Sequence, residues 1–291
     1  MKYLTTGEKI FTVFNYIFLA LLAAVTLYPF LYVLSASFSS SDAVLSGDVV
    51  LFPKELTLQA FRQVLLEDGI WRAYGNTVFY TVAATCLQMT VTIMGAYPLS
   101  KRRFMGRTPI SFFIAFTMLF SAGMIPFYLT VKQLGLLNSR LALLIPFAVS
   151  TFLVILLRTN FQSVPEEMEE AAKVDGASDF QILTRIYLPV SKPALATLAL
   201  FYGVGTWNSY FWAMVLVQDE SKIPLQVLLR RLIVSMNPTE EMMASSDVTV
   251  LFSKETVIYA TIVVAVIPVI IVYPFIQKYF AAGAMVGSVK G

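Results

Sequence analysis

Apolar side chains along this chain gather in six long runs that contain no Asp, Glu, Lys or Arg: residues 10–41, 73–100, 108–131, 141–157, 193–218 and 256–277. Each run reaches the roughly 17 residues that a helix needs to cross a hydrocarbon core about 30 Å thick. In lipid a backbone N–H or C=O has no partner except another backbone group, so lipid-exposed runs of this kind are helices. The pattern predicts an all-α membrane protein, a single domain over residues 1–291. Its six transmembrane helices are expected at about 10–36, 74–99, 108–131, 141–158, 193–217 and 256–277.

Polar positions between the runs predict smaller elements. In 39–72, turn residues (Ser39 to Asp42, Ser46-Gly47-Asp48, Phe52-Pro53) precede a helical spacing of Leu58, Phe61, Val64 and Leu65. That spacing suits a short amphipathic helix on the membrane surface or against a partner. The segment 219–255 repeats the idea, with Leu225, Leu228, Leu229 and Leu232 beside Arg230 and Arg231. Those arginines suit a headgroup-facing edge, or contact with an acidic sugar or a binding protein.

The connection 159–190 is too long for a turn. Ser163-Val164-Pro165-Glu166 has the form of a helix start with a capping box, and Glu166, Glu167, Glu169 and Glu170 lie at the positive end of the helix dipole. Gly176 is the expected left-handed terminator. A second helix is expected from Ser178, three residues before Gln181, to Leu188-Pro189.

Charge then orients the chain. Lys101, Arg102, Arg103 and Arg107 crowd one short connection, and Arg158, Lys173, Arg185 and Lys192 fall on the same side, as do Lys2, Lys9, Lys278 and Lys290. Short loops rich in Lys and Arg stay in the cytoplasm, so both termini are expected there, with 39–72 and 219–255 outside. Composition agrees with membrane residence: 57% of residues are hydrophobic, 13% are charged and the mean hydropathy is +0.73, against about 25% charged in a soluble domain. Ser35-Ala36-Ser37 has the small residues of a cleavage site. Its apolar run exceeds the roughly 7–15 residues of a signal h-region, however, so an uncleaved anchor is expected.

The same counts bear on chemistry. Cys86 is the single cysteine and histidine is absent, which excludes a disulfide framework or a thiol metal site. A proton-coupled transporter needs titratable groups at membrane depth, and the runs hold none; Asn76, Gln88 and Asn208 leave a sodium site open. A membrane-embedded enzyme would need a carboxylate pair, a metal cluster or an activated nucleophile, yet the acids are confined to loops. No G-x-x-x-x-G-K-[ST] phosphate loop is present.

Glu170-Ala171-Ala172, three residues, Gly176, nine residues, Ile186, one residue, Leu188-Pro189 matches the coupling-loop signature of ABC importer membrane subunits at every specified position. The chain resembles the carbohydrate branch of that family, typified by the smaller membrane subunit of the maltose transporter. Gly205-Thr206-Trp207-Asn208-Ser209-Tyr210 and the tail Gly287-Ser288-Val289-Lys290-Gly291 share in the likeness. Within the branch the chain looks most like permeases for complex oligosaccharides, including pectin- or alginate-derived fragments. The resemblance implies the type I importer permease fold in a bacterial plasma membrane. It also implies a second homologous membrane subunit, two ATPase subunits, an external solute-binding protein and a sugar substrate, with no nucleic acid.

ATP and Mg would sit on the ATPase, and this chain would bind no cofactor. Glu170, Ala171, Ala172, Asp175, Gly176, Ile186, Leu188 and Pro189 would meet the ATPase, as would the tail residues Val289, Lys290 and Gly291. Small Ala171 and Ala172 suit close approach of a helix to a groove, and the Glu170 carboxylate suits a basic partner. Trp207, Asn208 and Tyr210 are expected near the translocation route or in an interhelical hydrogen bond, since intramembrane polar groups face the bundle interior. A permease for a non-sugar solute and an ion-coupled secondary transporter remain as alternatives.

Overall fold

In chain order the elements are α1 (Thr6–Ser37), α2 (Ser41–Leu45), α3 (Gln59–Leu66), α4 (Asp68–Ser100), α5 (Arg107–Leu119) and α6 (Met124–Gln133). A 3-10 turn at Arg140–Leu143 precedes α7 (Thr151–Gln162), α8 (Glu166–Val174) and α9 (Asp179–Ile182), and a π turn at Leu183–Tyr187 follows. The series closes with α10 (Leu188–Val190), α11 (Lys192–Trp207), α12 (Phe211–Leu216), α13 (Leu225–Ser235) and α14 (Thr256–Val272). The computed structural model describes residues 5–120, 122–235, 256–272 and 274, and all regular elements among them are helical. The tail residues Val289, Lys290 and Gly291, most of the 219–255 segment beyond 235, and the end of the expected 256–277 span lie outside the described residues.

Among the described residues two helices, α1 and α4, are each long and apolar enough to cross a membrane, and α5 with α6 qualifies as a pair across a bend of 116°. That bend interrupts the expected span 108–131, and two further expected spans are interrupted as well. In 141–158 the 3-10 turn gives way to an irregular stretch holding Pro146 before α7 begins, as fits a residue with no N–H to offer a helix. In 193–217, α11 stops at Trp207, and the Asn208 side chain donates to the Val204 carbonyl at 3.0 Å, competing with the backbone for that acceptor.

The described residues form two compact units, one drawn from Met1–Trp71 and Leu229–Ile267, the other from Arg72–Leu228 and Pro268–Gly291. In the first, Thr5 and Glu8 form a reciprocal capping box on α1, which is buried only at Ser35, Ala36 and Ser37. Serine hydroxyls fasten the following loop: Ser35 donates to the Leu51 carbonyl at 2.6 Å, and Ser39 accepts from the Lys54 amide at 3.0 Å. The amphipathic helix expected near Leu58 is α3, but its buried face is Ala60 and Val64, while Leu58 and Leu65 are exposed.

Among the described residues the second unit holds a small buried cluster of Tyr80, Ala84 and Leu144 and two larger cores. One joins α4, α7, α9, the π turn and α11 through Ala96, Tyr97, Leu157, Phe161, Ile182, Tyr187, Leu198 and Tyr202. The other gathers Val131, Ala142, Ala213, Leu216, Val217, Ile223 and Val227. The loop after α12 is laced to α4: the Asn76 side chain donates to the Ser221 and Ile223 carbonyls at 2.9 and 3.1 Å, Tyr80 donates to the Lys222 carbonyl at 2.8 Å, and the Leu225 amide donates to Thr77 at 2.7 Å.

Candidate functional site: a helical unit with a glycine turn and an uncharged cavity

The connection 159–190 folds as a helix, a glycine turn and a second helix. Helix α8 begins at Pro165, which has no side chain to cap it; Ser163 instead terminates α7, its hydroxyl donating to the Asn160 carbonyl at 2.7 Å. The expected capping box therefore does not form, because Ser163 is already committed to the preceding helix. Glu166, Glu167 and Glu169 occupy the first turn and Lys173 the last, each favoured by the helix dipole at roughly 0.3–1 kcal/mol.

Gly176 has φ +78°. Its amide donates to the Lys173 carbonyl at 3.0 Å and the Ala177 amide to the Ala172 carbonyl at 2.9 Å, the bond pair of a Schellman stop. Ser178 and Gln181 form the capping box expected of the second helix. That helix does not end at Leu188-Pro189. It widens into the π turn, where Leu188 donates to the Leu183 carbonyl, and continues through Pro189 to Val190. The looser spacing tolerates a proline that would clash with a tight α turn.

The structure sorts the predicted motif residues by direction. Glu170, Ala171, Asp175, Gly176 and Pro189 are exposed, whereas Ala172, Ile186 and Leu188 are half-buried against the core around Phe161 and Tyr187. Ala172 thus packs inward, so a large side chain there tests folding before docking. Val174 and Phe180 are 89% and 73% exposed on either side of the glycine turn. Two exposed apolar side chains so placed, amid Glu170, Asp175 and Asp179, make a surface fit for a protein partner. The signature does not specify either position, and their apolar character was the available signal.

Sequence reasoning also missed Glu169, which is 7% exposed. Its carboxylate accepts hydrogen bonds from the Lys101 ammonium, from Lys173 at 2.5 Å and from Tyr187 Oη at 2.9 Å, and the Arg103 guanidinium lies 3.6 Å away. Burial pushes the Glu169 carboxyl up, but the bonds from Lys101, Lys173 and Tyr187 outweigh it and hold the group down at about 2. Burial draws the Lys101 ammonium below its ordinary range, against the pull of Glu169. Lys101 also sits 3.5 Å above the Tyr187 ring and 4.3 Å from the Tyr97 ring, favourable by roughly 0.5–2 kcal/mol. Arg103 reaches Asp179 at 2.5 Å and Tyr97 donates to the Asp179 carbonyl at 3.2 Å.

A cavity of about 470 Å³ lies in the same unit. Tyr202, Gly205, Thr206 and Ser209 of α11 and its extension line it at helical spacing, facing Thr77, Tyr80 and Gln88 of α4 and aromatic Phe147, Phe152 and Phe201. Gln88 donates to the Phe147 carbonyl at 2.9 Å, and its own carbonyl oxygen has no partner. The lining carries no charged side chain. Trp207, Asn208 and Tyr210 are not part of it: Trp207 is buried edge-on against Tyr74 at 5.9 Å, Asn208 bonds its own helix, and Tyr210 is 42% exposed. The cavity-lining stripe of α11 is out of phase with those three. The Asn76 and Gln88 amide nitrogens are committed to backbone carbonyls, and no cluster of metal-holding His, Cys, Asp or Glu occurs among the described residues.

Comparison with known proteins places this architecture. Residues 3–285 match the family described as binding-protein-dependent transport system inner membrane component. The chain is 43% identical to the polygalacturonan/rhamnogalacturonan transport system permease protein YtcP of Bacillus subtilis (strain 168), covering 98% of this chain and 99% of the relative. It is 41% identical to protein LplC of the same strain, covering 99% and 97%. A crystal structure of a bacterial ABC transporter involved in the import of the acidic polysaccharide alginate contains a chain of 46% identity and TM-score 0.89, matched over 96% of this chain and 100% of that one. The chain belongs to the binding-protein-dependent transport system inner membrane component family.

Proposed function

We propose that this chain is the permease subunit of an ATP-binding-cassette importer for oligosaccharides that contain uronic acid units. In this reading it crosses the bacterial plasma membrane six times with both termini in the cytoplasm. It pairs with a second homologous membrane subunit and receives substrate from an external binding protein. The permease itself is not catalytic; two separate ATPase subunits hydrolyse ATP. The observation that carries the reading is the coupling unit: a signature segment folded as helix, left-handed glycine turn and capped helix, with Glu170, Val174, Asp175 and Phe180 exposed at its tip.

Mechanistically, α8 docks in a groove of the ATPase, with Glu170 meeting a basic side chain and Val174 and Phe180 filling apolar depressions. Closure of the ATPase pair displaces the unit. The packed core around Phe161, Leu157 and Tyr187 carries that displacement into α7 and α11, and α11 forms one wall of the uncharged cavity. Hydroxyls of Thr206 and Ser209 and the neighbouring aromatic rings match the hydroxyl groups and apolar faces of sugar rings. Trp207, Asn208 and Tyr210 flank the route, and the tail residues Val289, Lys290 and Gly291 extend the contact with the ATPase. The substrates for which those relatives are named, polygalacturonan, rhamnogalacturonan and alginate, suggest the uronic acid class.

The test is uptake by the assembled complex in liposomes, with binding protein and ATP, of labelled oligogalacturonides, oligoalginates and neutral malto-oligosaccharides. ATP-dependent uptake of an oligouronide is expected. ATP-dependent uptake of a non-sugar solute with none of any sugar would overturn the substrate class.

A further inference from the structure

Glu169 stands one residue before the signature and faces away from the docking tip. Its partners come from three separate stretches of chain. Lys101 follows the last turn of α4, Tyr187 closes the π turn, and Lys173 lies one turn further along α8. Lys101 and Glu169 are 8% and 7% exposed, so their attraction is weakly screened by water. Tyr97, on the same face of α4 one turn before Lys101, packs its ring 5.3 Å from that of Tyr187 and bonds the Asp179 carbonyl.

Chain connectivity ties α8 to α7 and, through the π turn, to α11. It does not tie α8 to α4, which lies some 65 residues earlier in the sequence. Yet α4 carries Thr77, Tyr80 and Gln88, one whole wall of the cavity. If α4 did not follow the coupling unit, displacement of α11 alone would shear the cavity rather than reorient it.

We propose that the buried Lys101–Glu169 pair is a transmission link. It locks the cytoplasmic end of α4 to the coupling helix, so that both cavity walls move with the ATPase. Glu169 and Lys101 are positioning residues, and the four-charge loop that sets topology also serves the power stroke. The inference rests on the reading above that α8 docks on the ATPase.

The experiment uses the full complex in liposomes and compares Glu169→Gln, Lys101→Met, the double variant, and Glu170→Ala as the docking control. Glu169→Gln keeps the shape of the side chain and the acceptor for Tyr187 but removes the charge. Expected results are that Glu169→Gln and Lys101→Met still assemble and hydrolyse ATP, that uptake per ATP falls at least fivefold in each, and that the double variant is no worse than either single one, as befits two residues acting as a unit. Spin labels at Glu167→Cys on α8 and Met94→Cys on α4, with Cys86→Ser, give a readout that mere destabilisation would not move. Their separation should stay constant between nucleotide-free and ATP-trapped states with the pair intact, and change between those states when Glu169→Gln is added. Wild-type uptake per ATP in both single variants, with Glu170→Ala impaired, would overturn the link while leaving the docking reading intact. Normal assembly and uptake in Glu170→Ala would overturn the docking reading itself. Loss of assembly in Glu169→Gln, with the label separation unchanged in Lys101→Met, would show the pair to be structural only and overturn the proposal.

Discussion

Gly176 and Glu169 sit on the same short unit, and only one of them was legible. A glycine directly after a helical stretch, followed by Ser-x-x-Gln, calls for a left-handed stop, and the chain has φ +78° there with open space around the missing Cβ. Gly176→Val therefore costs backbone strain of roughly 1–3 kcal/mol and no steric clash. Hydrogen exchange should show α8 amides losing protection by about that free energy, and Gly176→Asn should lose distinctly less because Asn tolerates this region. Glu169 was hidden by its neighbours Glu166, Glu167 and Glu170, since four identical acids carry no sign of which one turns inward. The helical phase it shares with half-buried Ala172 was the signal available.

The lowered value of Glu169 fixes the sign of a pH effect. A carboxyl held near 2 in the folded chain and near 4.5 when unfolded binds fewer protons folded than unfolded between those values. Its stabilising contribution is thus fully present above about pH 4.5 and is lost as pH falls toward 2. Protection of the α8 amides, corrected for intrinsic exchange, should decline over that window in the wild type and be flatter in Glu169→Gln.

At the scale of elements, local signals located the helix, glycine turn and second helix of 159–190 and failed at the far end. Proline in an apolar stretch reads as a stop, yet Pro189 is carried through by the π turn, which answers to packing of Tyr187 and Ile182 in the core rather than to any local preference. In α3 the stripe of Leu58, Phe61, Val64 and Leu65 was expected to meet the membrane surface or a partner; within the chain Ala60 and Val64 are buried, while Leu58 and Leu65 stay exposed. The exposed apolar tip of the coupling unit yields its own prediction. Val174→Asp with Phe180→Asp removes apolar contact without touching the core, so the permease should insert normally while the ATPase copurifying with it drops at least tenfold; an unchanged yield of ATPase would exclude this tip from the interface.

For the whole molecule, apolar runs announced a membrane protein, and a period of uncharged residues cannot say where a helix breaks inside lipid. The irregular stretch holding Pro146 and the stop of α11 at Trp207 interrupt two of the expected spans, and such breaks are tolerated where the backbone is buried in protein or lines a cavity. The cavity was unreadable in advance because it is built from α4 and α11, whose facing stripes (Thr77, Tyr80 and Gln88 against Tyr202, Thr206 and Ser209) come together only in the fold. The charge bias of the loops predicts that single cysteines at Ser46 and Ser178, with Cys86 replaced, label from opposite sides of sealed cells and inside-out vesicles respectively. Labelling of both from outside would invert the assigned topology. The central claim, that the exposed tip of the coupling unit is the contact through which ATP hydrolysis drives this permease, is tested most directly by a photo-crosslinking residue in place of Val174 in the assembled, ATP-hydrolysing complex. The predicted result is a covalent adduct with the ATPase subunit whose yield changes between the nucleotide-free and ATP-trapped states; adducts with lipid alone, in a complex that retains its ATPase, would contradict it.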